Sequence, residues 1–427
     1  MRVLYFIGSY GPDAMGTASH EETVLALRER GNMVEVLTQV NRPGERRFRR
    51  TVYRGITTFE VNVAGAGGAL SRATRTLAGR FLQYEYIPIL LGALRRLRAR
   101  KYDLIHAEGA YPFGFVAALG AGRTPILANV QGADVIDLPE ADYGYRRFRL
   151  PRLAVAFALK RTSLIRVISP LLSDYLQSEG LARPDKVRVV LRALEDGAYP
   201  PKDVPLSEFR AGGRRLLAEK HGIGLPRPVV VALSRLHPFK GLEYLVDAVP
   251  LIAAAMRERG REVPWFVICG PSRSTENFGD YREFLRKRAQ ERGVAQHLIF
   301  TGQVPHELVR HYLAGADVLA CPSLIEAQNK VVPEACAVGT PSVVTETTGI
   351  TGYLAPEGAC VPVPPRSAIA FADGIVRLLT DPDYYGQIQA NALRMAETLR
   401  AHEIARQLQD VWFEAGKWPP ARATPTL

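Results

Sequence analysis

Cysteine is scarce in this sequence, with four among 427 residues, and no two of them stand close together. The spacing typical of zinc ribbons, two cysteines separated by two residues, does not occur. Each cysteine is flanked by apolar or small residues, which suits buried thiols in a reducing compartment; they are Cys269, Cys321, Cys336 and Cys360. We therefore expect neither a zinc site nor a disulfide framework.

Long apolar runs, internal repeats and low-complexity segments are also missing. A membrane-spanning helix needs about 18 or more consecutive apolar residues, and no such stretch occurs. The apolar residues 3–7 give way at once to Gly8 and Pro12, too early for a signal peptide. A composition of 47% hydrophobic and 23% charged residues indicates a folded globular protein, and we expect it in the cytoplasm.

Negative charge is outweighed, because 55 lysines and arginines face 43 acidic residues and the net charge is +12. Two N-terminal groups hold much of the excess: Arg46, Arg47, Arg49, Arg50 and Arg54, then Arg95, Arg96, Arg98, Arg100 and Lys101. No recognised nucleic-acid-binding module accompanies them, and we expect no nucleic-acid partner. Two interpretations stay open: peripheral contact with anionic lipid headgroups, in which each basic side chain contributes about 1 kcal/mol, and a solvated basic face.

What the sequence does contain is a regular alternation of strand and helix patterns. Its length is enough for two domains, each with its own core. A strand–helix–strand pattern over 3–38 opens the first domain, and an apolar strand followed by an amphipathic helix over 228–255 opens the second. Alternation of this kind is typical of α/β domains built on parallel sheets.

The most informative stretch is residues 319–344. Its apolar ends predict two buried strands, and its middle predicts a loop and then a helix of about two to three turns, with Pro333 in the first turn. Glu326 lies in the loop beyond the first strand, and Glu334 follows eight residues later on the helix. Ligands of open α/β sheets bind in the crevice beyond the carboxyl ends of the strands. The two carboxylates therefore flank a predicted ligand crevice.

The start of this predicted helix is suited to an anion. Backbone N–H groups near Asn329, Lys330 and Val331 have no partner within the helix and would face an anion placed there. An anion site between two carboxylates suits a sugar linked to a diphosphate. The plain alternative is an ordinary helix that carries surface glutamates.

A basic pair stands at the turn that opens the second domain. Arg235 and Lys240 are five residues apart, between the apolar strand and the amphipathic helix. An arginine and a lysine on one loop can hold a diphosphate from two sides. The sequence therefore predicts a second contact with the same diphosphate.

These motifs resemble the retaining, nucleotide-sugar-dependent glycosyltransferases of family 4. Glu326 and Glu334 match the family's Glu-x7-Glu signature, and Arg235 and Lys240 match its Arg-x4-Lys-Gly phosphate clamp. Around the signature the match extends to Pro322-Ser323, Asn329-Lys330, Glu334-Ala335 and Gly339-Thr340-Pro341. The resemblance is tight over 229–352 and looser before it.

The resemblance implies the GT-B fold, an α/β architecture in which two Rossmann-like domains face each other across a cleft. We accordingly predict an N-terminal, acceptor-side domain at 1–195, a linker at 196–226 and a C-terminal, nucleotide-sugar-binding domain at 227–385. A helical segment at 386–418 is expected to pack back toward the first domain, and residues 419–427 are expected to form a disordered tail.

The resemblance also implies roles for individual residues at the donor. The groups expected to stabilise the departing diphosphate are Arg235, Lys240, Asn329, Lys330 and Val331. Glu326 is expected to hold the hydroxyls of the hexose, and Glu334 those of the ribose. Four further donor-binding residues lie on turns at strand ends: Gly16, Thr17, Gly270 and Val304, the last of them against the nucleotide base.

Near the acceptor, His106 and Asp134 match positions that the family places close to the sugar or acceptor, and they join Arg235, Lys240 and Glu326 in the expected catalytic set. For His106 the alternative is a satisfied core histidine. Gln131 stands where the family usually has histidine, and glutamine cannot titrate. The family's Asn-Gly-x-Asp turn is replaced here by Arg192-Ala193-Leu194-Glu195-Asp196-Gly197.

The expected reaction is the transfer of a hexose from a UDP- or GDP-linked donor to a glycan or lipid-linked acceptor, with retention of configuration. No Asp-x-Asp motif stands in a suitable loop, and we expect neither a metal nor a cofactor. One alternative is a nucleotide-sugar-binding pseudoenzyme that supports a partner transferase, suggested by Gln131. Another is a GT-B epimerase or phosphorylase, which would need its own acid–base set or a cofactor lysine. A lipid-linked acceptor would bring the protein to the cytoplasmic face of a membrane.

Overall fold

The computed structural model describes residues 1–14, 17–64, 69–138, 143–224, 226–272, 274–275 and 278–417. Its strands and helices form two α/β domains with mainly parallel sheets. The strands of the first domain are β1 (Arg2–Phe6), β2 (Met33–Val40), β3 (Phe48–Tyr53), β4 (Ile56–Asn62), β5 (Leu104–Glu108), β6 (Ile126–Val130), β7 (Leu164–Val167) and β8 (Val187–Val189). Its helices are α1 (Ala18–Glu29), α2 (Ala69–Leu82), α3 (Ile87–Leu97), α4 (Phe115–Gly120), α5 (Arg149–Arg161) and α6 (Pro170–Ser178).

The second domain begins after helix α7 (Leu206–His221). Its strands are β9 (Val229–Leu233), β10 (Trp265–Cys269), β11 (Ser274–Thr275), β12 (Gly279–Asp280), β13 (Leu298–Gly302), β14 (Val318–Cys321), β15 (Ser342–Thr345) and β16 (Val361–Val363). Its helices are α8 (Leu242–Glu258), α9 (Tyr281–Glu291), α10 (His306–Gly315), α11 (Val331–Ala337), α12 (Thr351–Leu354), α13 (Ala368–Thr380), α14 (Pro382–Glu397) and α15 (Ala401–Lys417).

The N-terminal sheet has the strand order β3-β4-β2-β1-β5-β6-β7-β8. β3 runs antiparallel to β4, and the other neighbouring strands are parallel. The chain leaves β1 toward β2 on one side and later continues from β5 on the other, so the strand order reverses between β1 and β5. Doubly wound sheets bind ligands beyond the strand ends at such a reversal.

The C-terminal sheet has the order β13-β10-β9-β14-β15-β16 and is parallel throughout. Its central strands β9 and β14 read VVVAL and VLAC and are almost completely buried, as expected of parallel strands covered by helices on both faces. The order reverses between these two strands. The loops that follow them carry Arg235 and Glu326, so the fold brings these side chains to one rim.

Helix α15 connects the two domains by packing on α1 of the first domain. Trp412 of α15 is fully buried, and Arg30 donates a hydrogen bond to Gln409 at 2.6 Å. The helical segment predicted at 386–418 consists of most of α14 and of α15. Between these helices, the carbonyl of Leu399 accepts a hydrogen bond from the N–H of Leu194 of the first domain at 2.8 Å. The predicted tail lies outside the described residues.

The segment predicted to be a linker, 196–226, contains the sixteen-residue helix α7. α7 packs tightly on α10, and a Cβ added at Gly213 would lie 2.4 Å from the carbonyl oxygen of His311. Only a residue without a side chain permits this approach. The helix thereby becomes part of the surface of the C-terminal domain, and the domain boundaries themselves stay predictions.

Several helices of the N-terminal domain expose apolar side chains to solvent. Leu77 and Phe81 of α2 are 55% and 50% exposed, and Leu153 of α5 is 65% exposed. Within the described ranges, no helix is both long enough and apolar enough to cross a bilayer.

Candidate functional site

A cavity of about 350 Å³ lies beyond the carboxyl ends of β9, β10 and β14, and we call it the strand-end cavity. Eight of the residues expected at the donor line it together: Arg235, Lys240, Gly270, Val304, Glu326, Asn329, Lys330 and Val331. They come from four separate turns of the C-terminal domain. The parallel sheet collects them because the carboxyl ends of its strands share one edge.

The cavity wall depends on a glycine at the end of β10. Gly270 has a φ of 143°, and a Cβ at this position would lie 1.7 Å from the carbonyl oxygen of Ser234. Its N–H donates to the carbonyl of Gly302 at 2.7 Å. The turns after β9, β10 and β13 therefore pack directly against one another and leave room for a ligand in front of them.

Glu326 and Lys240 form an ion pair at the floor of the strand-end cavity, with 2.6 Å between Nζ and Oε1. The other carboxylate oxygen of Glu326 accepts hydrogen bonds from Ser323 at 3.0 Å and from Asn329 at 2.8 Å. Burial opposes ionisation of Glu326, but the charge of Lys240 and these hydrogen bonds outweigh it and lower its pKa. Glu326 is therefore an ionised, fixed acceptor of hydrogen bonds.

Arg235 is the exposed cation of the cavity. Its guanidinium lies 5.9 Å from the centre of the Phe239 ring and has neither an ion pair nor a hydrogen bond to any described residue. An uncompensated guanidinium beside a cavity attracts anions and can bind a phosphate through two parallel hydrogen bonds. The Arg235–Lys240 pair can thus hold one anion from two sides.

The loop before α11 is shaped by Asn329, whose φ is 78°. Its Oδ1 accepts a hydrogen bond from the N–H of Val332 at 2.8 Å, which caps the seven-residue helix α11. Lys330 instead donates to Glu195 of the first domain, and Glu195 also pairs with His306 at 3.0 Å. The sequence did not predict this interdomain contact, although Glu195 stands in the turn that departs from the family pattern.

Glu334 does not line the strand-end cavity. It lies on a neighbouring cavity of about 380 Å³ together with Glu22, Glu195 and His306, and we call this the Glu334 cavity. Burial raises the pKa of Glu334 to about 7, and the nearby charge of Glu195 adds to the effect of burial while Lys330 opposes it. Near neutral pH this carboxyl is therefore close to half protonated.

The expected small-residue loop at the donor is only partly visible, because Gly16 lies outside the described residues. Thr17 is buried at the start of α1, where its carbonyl accepts hydrogen bonds from His20 and Glu21. The Thr17 hydroxyl donates to the Glu21 carboxylate at 3.1 Å. The side chain of Thr17 therefore serves α1 rather than the strand-end cavity.

His106 does not reach the cleft, contrary to its expected place in the catalytic set. It is completely buried in β5, its Nδ1 accepts a hydrogen bond from Trp412 at 3.0 Å, and its Nε2 lies 3.3 Å from Glu108. Burial lowers its pKa below the ordinary value. The geometry favours the alternative of a core histidine, although only its Nδ1 has a hydrogen bond among the described residues.

Asp134 is also buried and lines none of the cavities described here. Its carboxylate accepts hydrogen bonds from the N–H groups of Ala110 at 2.6 Å, Gly132 at 2.8 Å and Gln131 at 3.1 Å. Burial raises its pKa to about 6, against the effect of these hydrogen bonds. Asp134 therefore fixes the loop after β6 and holds the main chain of Gln131 in place.

Gln131 faces a second cavity of about 230 Å³ between the domains, whose other walls include Arg192, Arg235 and Glu326. The side-chain amide of Gln131 donates a hydrogen bond to Glu108. Burial opposes ionisation of Glu108, but His20 and His106 outweigh it and hold its pKa well below the ordinary value.

An ionised carboxylate only accepts hydrogen bonds, so Glu108 fixes the orientation of the Gln131 amide. The NH₂ group must point to Glu108, and the carbonyl oxygen is left for the interdomain cavity. Tyr5 and Asn129 donate to the same carboxylate and hold it in place. Gln131 therefore presents a hydrogen-bond acceptor to the interdomain cavity, which the sequence pattern did not predict.

Two family descriptions match the chain. "Glycosyl transferases group 1" matches residues 214–395, and "Glycosyl transferase 4-like domain" matches residues 16–193. The two matches cover the strand-end cavity and most of the first domain, respectively.

Among curated proteins, the GDP-mannose-dependent alpha-(1-6)-phosphatidylinositol monomannoside mannosyltransferase of Mycobacterium tuberculosis is 34% identical over 334 residues, 74% of this chain and 78% of that protein. The D-inositol 3-phosphate glycosyltransferase of Jonesia denitrificans is 30% identical over 232 residues, 54% of this chain and 52% of that protein. The chain thus spans about half the length of this second relative.

Among solved structures, sucrose-phosphate synthase from Thermosynechococcus elongatus superposes with a TM-score of 0.71 at 20% identity, over 97% of this chain and 98% of that one. HepE of Anabaena, solved with UDP and glucose, superposes with a TM-score of 0.68 at 19% identity, over 96% and 99%. These likenesses extend over both domains and confirm the expected arrangement of two Rossmann-like domains.

Proposed function

The chain belongs to the group 1 glycosyltransferases, family 4 proteins of the GT-B fold, and on that premise we propose that it transfers a hexose from a UDP- or GDP-linked donor to a glycan or lipid-linked acceptor. The transfer retains the configuration at the anomeric carbon and uses neither a metal ion nor a cofactor. The donor binds on the C-terminal domain, and the acceptor binds on the N-terminal side of the cleft.

The observation that carries this proposal is the pair of cations at the strand-end cavity. Arg235 is exposed and uncompensated, and Lys240 is held 2.6 Å from Glu326. A diphosphate beyond the strand ends meets both charges, and it gains negative charge as its bond to the sugar breaks. Preorganised groups that face such a developing charge each lower the barrier by roughly 2–4 kcal/mol.

Two carboxylates position the sugars of the donor in this proposal. Glu326 is ionised and accepts hydrogen bonds from hexose hydroxyls beside the cations. Glu334 accepts hydrogen bonds from the ribose hydroxyls, which places the ribose near the start of α11, between the strand-end cavity and the Glu334 cavity. The turns with Gly270 and Val304 then lie on the nucleotide side.

The acceptor hydroxyl must lose a proton as its oxygen bonds to the anomeric carbon. We assign that proton to an oxygen of the departing donor diphosphate, so that the new bond forms on the face from which the old one breaks. Gln131 fits this assignment because its amide accepts a hydrogen bond but cannot take a proton at neutral pH. Its carbonyl oxygen holds a substrate hydroxyl in the interdomain cavity.

The proposed acceptor carries a phosphate. The names of the two curated relatives specify D-inositol 3-phosphate and a phosphatidylinositol compound as their acceptors, and the net charge of +12 favours anionic partners. With a lipid-linked acceptor, the protein works at the cytoplasmic face of a membrane, where the basic N-terminal region contacts anionic headgroups.

Transfer itself tests the proposed function. The purified chain is incubated with UDP- or GDP-linked glucose or mannose, each with and without phosphatidylinositol or inositol phosphate, and the products are separated by mass. We expect hexose addition from one nucleotide series, only when acceptor is present, with the anomeric configuration of the donor retained by proton NMR. Donor binding without transfer to any acceptor would instead support the pseudoenzyme.

Donor affinity is expected to fall in acid because of Glu334. Its pKa of about 7 without ligand means that binding ribose hydroxyls to the ionised form must displace a proton below that pH. The Kd of a nucleotide sugar should therefore rise about tenfold from pH 8 to pH 6, since one pH unit below the pKa corresponds to a factor of ten. Calorimetric titration across this range measures the change. The ligand itself does not contribute, because both phosphates of a nucleotide sugar are esterified and do not titrate between pH 6 and pH 8.

Two variants separate this effect from other titrations in the Glu334 cavity. Glu334→Gln should bind more weakly and show a flat profile between pH 6 and pH 8. Glu22 has a pKa raised to about 7 by burial and lines the same cavity, so Glu22→Gln is the matched control and should keep the pH dependence. A Glu334→Gln profile as steep as that of the wild type would exclude Glu334 from donor binding.

A further inference from the structure

An open groove of about 580 Å³ lies on the N-terminal domain between β3, β4, α2 and α3. Its lining is mainly apolar, from Phe48, Val61, Pro88, Ile89, Gly92 and Ala93. The groove is larger than the strand-end cavity and falls in the range of small-molecule sites, about 300–1,000 Å³. None of the residues assigned above to donor binding or to catalysis lines this groove.

Two arginines line the same groove, and Thr74 of α2 is its other polar member. Arg47 and Arg96 are exposed, and the Arg96 guanidinium lies 5.9 Å from the centre of the Phe48 ring. Neither has an ion pair to any residue in the described part of the chain. By contrast, Arg42, before β3, and Arg49, on β3, both pair with Glu60 of β4. The groove therefore combines an apolar wall with positive charge that the protein does not neutralise.

Residues close in sequence to the lining residues also combine positive charge with exposed apolar surface. Arg46, Arg50 and Arg95 are also exposed and have no ion pair among the described residues. On α2, Leu77 and Phe81 are about half exposed. Uncompensated guanidinium groups next to apolar surface match a ligand that has a hydrocarbon chain and an anionic head. A polypeptide ligand would not require this arrangement.

The position of the groove relates it to the cleft. Phe48 pairs with Val61 at the carboxyl end of β4, so the groove opens at the rim from which the loops after β1, β5 and β6 also leave. β4 and β6 are separated by four strand spacings in the sheet, roughly 19 Å at about 4.8 Å each. A head group of several linked sugar rings attached at the groove can cover that distance along the rim to Gln131, whereas a single ring cannot.

We propose that this groove binds the hydrocarbon chain of a phosphate-bearing lipid acceptor, with Arg47 and Arg96 on the phosphate. The proposal rests on the proposed function in assigning the occupant to the acceptor. The chain anchors the lipid, the arginines fix the phosphate at the rim, and the head group extends into the cleft. Substrate selection for a lipid then takes place on the N-terminal domain, away from the donor residues.

Gly92 offers a direct way to fill the groove. It is an exposed residue of α3, and a Cβ added there meets no atom within 4 Å. Gly92→Leu should therefore place its side chain in the groove without a clash, and it replaces a poor helix former by a good one. Gly386→Leu on α14 is the matched control, because it also has open space around the added Cβ and lies in the other domain.

The probe is dodecyl phosphate below its micelle concentration, compared with butyl phosphate and with dodecyl maltoside, and binding is followed by calorimetry on the full chain. The wild type and Gly386→Leu should bind dodecyl phosphate at least tenfold more tightly than either comparison ligand. Gly92→Leu should lose at least tenfold in affinity, and Arg47→Ala with Arg96→Ala should lose the preference over dodecyl maltoside. Equal affinity of Gly92→Leu and the wild type would overturn the proposal.

A second readout separates this proposal from the proposed function. Nucleotide-sugar binding should be the same in Gly92→Leu and the wild type, because the groove is remote from the strand-end cavity. If hexose transfer to a lipid acceptor occurs and is unaffected by Gly92→Leu, the function stands and the groove assignment fails. If dodecyl phosphate binds in the groove but no hexose is transferred to any acceptor, the groove remains a lipid site and the proposed function fails.

Discussion

Replacement of Lys240 by alanine is expected to lower the rate of hexose transfer by about 10²–10³-fold, as for the loss of one preorganised donor to a developing charge. The Lys240 ammonium is buried at the floor of the strand-end cavity, where low exposure to water strengthens its interaction with a diphosphate. It also holds Glu326 in position. The values of kcat and kcat/KM for transfer measure the loss.

Controls must separate this chemical effect from a loss of stability, because Lys240→Ala leaves the half-buried Glu326 carboxylate without its cation. Glu326→Gln combined with Lys240→Ala removes that charge and should restore stability without restoring transfer. Lys220→Ala changes an exposed lysine of α7 and should leave both quantities unchanged. A decrease in kcat/KM of less than about threefold, well below the two to three orders of magnitude expected for such a group, would remove Lys240 from the catalytic set.

Truncation of Trp412 to alanine is expected to lower the free energy of unfolding by about 3–5 kcal/mol, the usual range for a buried Trp or Phe. The indole is completely buried between α15 and the N-terminal sheet, and its N–H donates to His106. Its removal leaves a cavity where the C-terminal helix packs on the first domain. Urea titration followed by circular dichroism measures the change.

Two neighbouring substitutions identify the source of this stability. Trp412→Phe keeps an aromatic ring but loses the hydrogen bond, so it should cost less than the alanine variant. Phe413 is next in the chain and 43% exposed, and Phe413→Ala should cost less than about 1 kcal/mol. If Trp412→Ala and Phe413→Ala were equally stable, α15 would not hold the two domains together as described.

The donor side of the site is largely predictable from the sequence. A short apolar strand precedes each of four donor residues, and parallel pairing brings the ends of these strands to one edge of the sheet. The four residues are Arg235, Gly270, Val304 and Glu326. Local pattern and topology are therefore sufficient to place them in one cavity. Thr17 and Glu334 are exceptions: the Thr17 side chain bonds to Glu21 within α1, and Glu334 faces a neighbouring cavity. Strand order does not reveal the direction of a side chain.

The N-terminal side is less predictable because its contacts join distant parts of the chain. His106 ends up beneath Trp412, which comes 306 residues later, and no strand-end pattern indicates such a cover. Glu195 and Lys330 meet across the domains from 135 residues apart. The orientation of Gln131 depends on the ionisation of Glu108, which follows from burial and neighbours rather than from residue type.

Helix α7 illustrates a different failure of prediction. Its stretch contains two glycines, many charges and a preceding proline pair, features that favour a linker when composition alone is considered. In the structure Gly213 permits close packing on α10, and Arg210 and Arg214 donate hydrogen bonds to main-chain carbonyls of the C-terminal domain. Tertiary packing thus gives a helical structure to a segment with weak local signals.

The claim at the centre of this account is that the strand-end cavity is a nucleotide-sugar site, and thermal unfolding with added ligand tests it most directly. At a hundredfold excess over the dissociation constant, a ligand of the folded state adds about 2.7 kcal/mol to its stability. We expect either UDP-sugars or GDP-sugars to raise the Tm of the wild type, and Lys240→Ala and Glu334→Ala to lose that increase. If no nucleotide sugar and no nucleoside diphosphate raises the Tm, the cavity is not a donor site and the account is contradicted.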